Sequence, residues 1–217
     1  MKYELIIFDW DGTLVDSTGR IVESLASAAE DAGLPPAATD KIRSIIGLGL
    51  PEAVKTVWPM VVEEQYTVLS DRYSKHFEMS HHVAMAPYTG VLDLLEYLHP
   101  HKLLAVATGK SRRGLDKVMW DLNMKHFFHA TRCADETLSK PNPLMLIELL
   151  QQLGVSSDMA LMVGDTTYDL DMAAAIGMDA VALTYGAHDA TTLRSRNPSQ
   201  VFDNMPDLTQ WLINSTI

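Results

Sequence analysis

The chain has 217 residues, 47% of them hydrophobic and 21% charged, a composition that folds as a globular protein without disulfide or metal staples. A formal net charge of -11 repels nucleic acid and anionic membranes, so neither is an expected partner. A single cysteine, Cys133, excludes a disulfide framework and a cysteine-rich zinc site, suits the reducing cytoplasm, and reads as a small buried hydrophobe.

Residues 3–8 form a short, continuously apolar run that reads as a buried strand. The run stops at Asp9, so it is neither a signal peptide nor a membrane span of roughly 18 residues. A helix follows over 18–32, with Ile21, Leu25, Ala28 and Ala32 on one face, closed by Gly33. A short helix is expected over 40–46, ended by Gly47. Pro51 opens the next helix, where its missing N–H costs nothing, and Pro59 ends it. A longer amphipathic helix carries Val62, Tyr66, Leu69, Tyr73 and Phe77. The adjacent His81 and His82 read as a solvated loop.

The pattern then changes. A helix through Val91, Leu95 and Leu98 leads to a strand at 103–107, and a helix through Leu115, Val118 and Leu122 follows. A weaker strand signal lies at 130–133. Helix 143–153, strand 160–163, helix 168–176 and strand 180–184 complete the alternation. A last short strand at 201–202 and a helix over 205–213 close the chain. Strand–helix alternation implies an α/β fold, a Rossmann-like parallel sheet with helices on both faces. The all-helical stretch after the first strand reads as an insertion.

In such sheets ligands bind at the carboxyl ends of the strands. Three polar groups occupy that position: Asp9-Trp10-Asp11-Gly12-Thr13, Thr108-Gly109-Lys110-Ser111, and Gly164-Asp165 through Asp169. Asp9, Asp11, Asp165 and Asp169 would crowd together, and two unit charges about 4 Å apart repel by about 4 kcal/mol at an effective dielectric of 20. A cation among them relieves this, and oxygen-only ligands favour Mg²⁺ before Ca²⁺. Taken singly, each feature has a plainer meaning. Asp-x-Asp-Gly can be a turn, Lys140 a solvated lysine, and Asp169 and Asp171 favourable charges in a helix's first turn. Asp171 is read that way, Asp16 as structural or part of a hinge, and Arg20, Arg43, Lys110, Arg112 and Arg113 as surface residues that are candidate substrate contacts.

Asp9 through Ser17 (DWDGTLVDS) resembles the opening motif of the haloacid dehalogenase-like phosphohydrolases, and Thr108, Lys140-Pro141 and Gly164 to Asp169 resemble its other three motifs, in order. The insertion, with Gly47 to Glu52, is similar to the small helical cap of the phosphoglycolate phosphatase-like branch. The resemblance implies a catalytic core at 1–16 and 83–217 and a cap at 17–82, hinging near 15–18 and 82–88. It implies Asp9 as nucleophile and Asp11 as acid and base. Thr13 would set the loop and, with Thr108, Gly109 and Lys140, hold the phosphate. Mg²⁺ would be held by Asp9, the Asp11 carbonyl and Asp165, with Asp169 behind them.

An acid at Asp11 implies phosphoryl rather than halide chemistry. The expected substrate is a small phosphorylated metabolite, phosphoglycolate first. A sugar phosphomutase, a pyrophosphatase and an inert binding protein are the alternatives. A monomer or weak homodimer is expected.

Overall fold

The computed structural model describes residues 2–80, 82, 83 and 85–214. His81 and Ala84 therefore fall outside the described residues, and the expectation for the histidine pair rests on His82, which is exposed and 2.8 Å from Glu23.

Six parallel strands make one sheet in the order β3-β2-β1-β4-β5-β6. They are β1 (Leu5–Phe8), β2 (Leu103–Thr108), β3 (Ala130–Cys133), β4 (Ala160–Gly164), β5 (Asp179–Leu183) and β6 (Gln200–Phe202). The strand order reverses at β1, which is flanked by β2 and β4, with Ile6 in register with Leu104 and Leu161. A crevice opens at that reversal, beyond the carboxyl ends of the strands.

The continuous apolar run of β1 is explained by burial on both faces. Ile6 and Phe8 point to one side, where Leu94 and Leu95 of α5 (Val91–Leu98), Leu115 of α6 (Arg112–Asp121) and Leu208 of α10 (Met205–Asn214) pack. Leu5 and Ile7 point to the other, against Met145 and Leu149 of α7 (Leu144–Leu153), Leu170 of α8 (Thr167–Ala174) and Leu193 of α9 (Ala190–Arg194). Side chains alternate along a strand, so one run of residues feeds two cores.

The insertion is helical throughout its regular structure: α1 (Thr18–Asp31), α2 (Thr39–Arg43), α3 (Leu50–Val57) and α4 (Glu63–Met79). It has an apolar cluster of its own, with Leu25, Ile42, Val54, Trp58 and Leu69 at its centre.

Three local expectations are corrected. The short helix expected over 40–46 stops at Arg43. There the Ser44 hydroxyl donates to the Lys41 carbonyl, and the N–H groups of Ile45 and Ile46 bond three residues back, which tightens the chain out of α-geometry. The helix expected over 168–176 runs one residue earlier and ends at Ala174. The segment 190–194 was not expected to be helical. Its cap is Asp189, whose carboxylate accepts from the Thr191 and Thr192 N–H groups at 2.9 and 3.0 Å.

Leu161 lies in the central strand pair with no exposed surface. Leu161→Ala is expected to cost about 2–5 kcal/mol by opening a cavity between sheet and helices. Urea unfolding checks this: the midpoint drops at unchanged slope.

Candidate active site

Asp9 directly follows β1, Thr108 ends β2, and Gly164 ends β4, with Asp165 next. Because the three strands are adjacent and parallel, these residues meet at one edge of the sheet. Asp9, Asp165 and Asp169 each offer a carboxylate oxygen within 4.8 Å of the others, and all three are buried. Lys140, also fully buried, reaches in from the loop after β3, with Nζ 2.9 Å from Asp9 Oδ1 and 2.6 Å from Asp169 Oδ1.

Each carboxylate is held from more than one side. The second oxygen of Asp169 accepts from the Thr166 hydroxyl at 2.7 Å and its N–H at 3.2 Å, closing a capping box at the start of α8. The metal-site and helix-turn readings of Asp169 therefore meet in one side chain. Asp165 accepts from the Thr13 hydroxyl at 2.6 Å and the Ala187 N–H at 2.7 Å. Thr13 sets the loop through this bond. A side chain at Gly12, whose φ is +80°, would run into the Asp165 carboxylate, which is why the loop carries glycine there.

One ammonium cannot neutralise three carboxylates. Burial, with Asp169, Asp165 and Asp11 nearby, holds the Asp9 carboxyl well above its ordinary value despite Lys140. Burial and the Asp169 charge push Asp165 up to about 7. The desolvation cost to Lys140 is outweighed by Asp169 and Asp9, so its ammonium is held above its usual value. Asp9 Oδ2 is buried and has no hydrogen-bond partner among the described residues. Three carboxylates, an excess of negative charge and an orphaned oxygen fit a hard divalent cation.

Asp11 behaves differently. Its carboxylate lies outside the triad, accepting from the Ser17 hydroxyl at 2.6 Å and from Lys110 Nζ at 2.9 and 3.1 Å. This corrects the surface reading of Lys110, whose side chain is 9% exposed and which also lies 4.6 Å from the centre of the Phe77 ring. Arg20 is likewise buried, bound to the Val83 carbonyl. Arg113 is an exposed residue, Arg112 pairs with Glu136, and Asp171 pairs with Arg196, as plain surface groups do. Asp16 is exposed and accepts from the Tyr88 hydroxyl at 3.3 Å. The thiol of Cys133 is buried and pushed up to about 12, so it plays no nucleophilic part.

The insertion closes over this edge. The Ser44 carbonyl accepts from the Tyr168 hydroxyl at 2.9 Å and from His188 Nε2 at 3.0 Å. The Gly49 N–H donates to the Ser139 hydroxyl at 2.8 Å. Gly109 lies so near the Gly47 and Leu48 carbonyls that a side chain there would not fit. The Thr108 hydroxyl accepts from the Lys110 N–H at 3.2 Å. Between insertion and core, a cleft of about 300 Å³ begins at Asp11.

Four contributors escaped the sequence reading: Ser17, Ser139, Tyr185 and the loop at Gly186-Ala187. Tyr185 donates to the Thr13 carbonyl at 2.7 Å, and Gly186 gives the Asp165 carboxylate room. The signal for Tyr185 and the Gly186-Ala187 loop was position, directly after β5 at the same edge as the other strand ends.

Residues 6–183 match the family described as haloacid dehalogenase-like hydrolase. A relative named Probable phosphatase IndB, from Dickeya dadantii, is 31% identical, with 94% of this chain and 91% of the relative covered. Phosphoglycolate phosphatase 1 of Pseudomonas aeruginosa is 30% identical over 94% of this chain and 78% of its own length. A crystal structure described as a predicted phosphoglycolate phosphatase from Haemophilus somnus superposes with a TM-score of 0.85 at 25% identity, covering 98% and 99% of the two chains. Among the described residues, no helix is long and apolar enough to cross a membrane.

The raised carboxyls set a pH dependence. A carboxyl whose folded value lies above its unfolded one stabilises fully below the unfolded value, near 3.9, and loses that contribution as pH rises through the folded value. For Asp165 that window closes at about 7. In EDTA the melting temperature should therefore fall between about pH 4 and about pH 7. A divalent cation should restore more stability near pH 8, where the carboxylates are ionised, than near pH 5, by binding the folded state alone. Thermal denaturation with and without the cation measures this, and equal gains at both pH values would contradict it.

Proposed function

Because the chain belongs to the haloacid dehalogenase-like hydrolase family, we propose that it is a Mg²⁺-dependent phosphatase of a small phosphate monoester. The observation that carries this reading is the parting of two neighbouring aspartates. Asp9 is drawn into the buried triad beside Lys140, whereas Asp11, two residues on, turns out to the cleft. Nucleophile and proton donor are thereby aimed at different atoms of one ester.

The steps use these residues directly. An Asp9 oxygen attacks phosphorus, the bond to the ester oxygen breaks, and the alcohol departs with a proton from Asp11. A water then gives its proton to Asp11 and attacks the aspartyl phosphate, releasing inorganic phosphate and restoring Asp9. Lys140, the Thr108 hydroxyl and the Gly109 N–H hold the phosphoryl oxygens and meet the charge that develops there. Asp9, Asp165, Asp169 and the Asp11 carbonyl would hold Mg²⁺, which offsets the charge of the transferring group when bound.

Residues 17–82 act as a cap on the core formed by 1–16 and 83–217, opening at 15–18 and 82–88 to admit substrate and closing to exclude water. Contacts of the insertion with Tyr168, His188 and Ser139 support a closed form. Phosphoglycolate, carried in the name of the Pseudomonas aeruginosa relative, is the first reference compound.

Asp9→Ala and Asp9→Asn should abolish turnover and the covalent intermediate. Asp11→Asn should lower kcat/KM, which reads the steps up to departure of the alcohol, by about 10²–10⁴-fold on alkyl phosphates, the usual worth of a positioned acid, and far less on p-nitrophenyl phosphate, whose phenolate leaves unaided. Steady-state assays on both esters with Mg²⁺ decide it: near-normal activity in Asp9→Ala, or an equal loss on both esters in Asp11→Asn, would sink the assignment.

A further inference from the structure

The cleft beside Asp11 has a character that the phosphate chemistry does not require. Its volume, about 300 Å³, is at the lower end of the roughly 300–1,000 Å³ of small-molecule sites, and it runs from Asp11, Gly109 and Lys110 in under the insertion, away from Asp9 and Lys140, which do not line it. Ile21 and Leu25 of α1, Ile46, Phe77 of α4, Met85 and Val118 of α6 make its walls largely apolar.

Each cation along the cleft has a partner in the structure, a carboxylate for Lys110, Lys117 and Arg113 and a neutral main-chain carbonyl for Arg20. Lys110 Nζ is 2.9 Å from Asp11 and lies on the Phe77 ring. Arg20 donates to the Val83 carbonyl through Nε at 3.1 Å, with its guanidinium 5.7 Å from the centre of the same ring. Farther out, Lys117 pairs with Asp121 at 3.0 Å and Arg113 approaches Glu78 at 3.8 Å. A second anionic group on the leaving alcohol would have to leave water for apolar walls, with each of these cations already engaged. A hydrocarbon chain or ring meets no such cost, and its transfer from water is favourable.

We infer that the leaving alcohol is uncharged and carries an aliphatic or aromatic body, which the cleft encloses while Asp11 addresses the ester oxygen. This rests on the phosphatase reading and narrows it: the preferred ester is bulkier and less polar than one bearing a carboxylate. Phe77 is the residue that sets this preference, since its ring faces the cleft and is backed by the two cations.

The test is a series of n-alkyl phosphates from ethyl to octyl, with phosphoglycolate and p-nitrophenyl phosphate, assayed with Mg²⁺ on the full chain. The alkyl leaving groups are alike in basicity, so differences report enclosure. kcat/KM should climb by up to about fourfold per enclosed methylene, the factor equivalent to about 0.8 kcal/mol, until the cleft is filled. Hexyl phosphate should exceed ethyl phosphate by more than about tenfold and should also exceed phosphoglycolate. Phe77→Ser should pull the hexyl-to-ethyl ratio toward one, a ratio that does not depend on how much protein folds. A flat or falling series, a ratio unmoved by Phe77→Ser, or phosphoglycolate outrunning hexyl phosphate overturns the inference and leaves the phosphatase reading standing. No Mg²⁺-dependent turnover of any ester, p-nitrophenyl phosphate included, overturns both.

Discussion

The ammonium of Lys140, buried between Asp9 and Asp169, is the contact on which the site depends. Burying a carboxylate alone costs several kcal/mol, and removing one partner of a buried pair leaves the other charge stranded. Here three carboxylates share a single internal cation. The fold tolerates the excess because hydrogen bonds from Thr13, Thr166 and the Ala187 N–H take up the remaining oxygens, except Asp9 Oδ2. The three carboxylates thus carry more negative charge than Lys140 offsets, a balance that suits a divalent cation, and bonds from several sides hold their side chains in place.

The backbone beneath them is held by the sheet. Thr108 ends a strand, and Asp9 and Asp165 each stand one residue past a fully buried one, so each backbone position is fixed by ladder bonds and by helices on both faces. The loops add only short excursions. Asp11 stands only two residues past Asp9, yet it belongs to a different environment, with Lys110 and Ser17 in place of the triad. The two aspartates part company within the first turn of chain beyond the strand.

Much of this was legible from residue order. The apolar run of β1, the alternation after residue 90 and the polar groups after β1, β2 and β4 implied both the parallel sheet and the edge where Asp9, Asp165 and Asp169 meet. What escaped depends on partners distant in sequence. Lys110 reads as a surface lysine because nothing near it announces Asp11, 99 residues away, or the Phe77 ring. Ser17 entered only as the last residue of the opening motif, yet its hydroxyl donates to Asp11. The Ala187 N–H carries no side-chain signal at all. The helix at α2 fell short because Ser44, with its neighbours, found tighter local bonds than an α-turn supplies, a competition that hydrophobic period does not register.

The seam between insertion and core has one property with a wider bearing. At Ser44, Gly47, Leu48 and Gly49 the insertion presents main-chain atoms, which Tyr168, His188, Gly109 and Ser139 meet from the core. Main-chain atoms are the same in every residue, so at Ser44 and Leu48 the docking does not depend on the side chain, whereas Gly47, at φ +102°, and Gly49, close to Ala134, are held to glycine. Side chains enter the seam elsewhere, where Ile21 and Ile46 pack with Ala187 and Phe77 meets Lys110. An insertion from a relative that follows the same backbone path and keeps these contacts should seat on this core. Substrate preference could then be exchanged by recombination while the chemistry stays where it is.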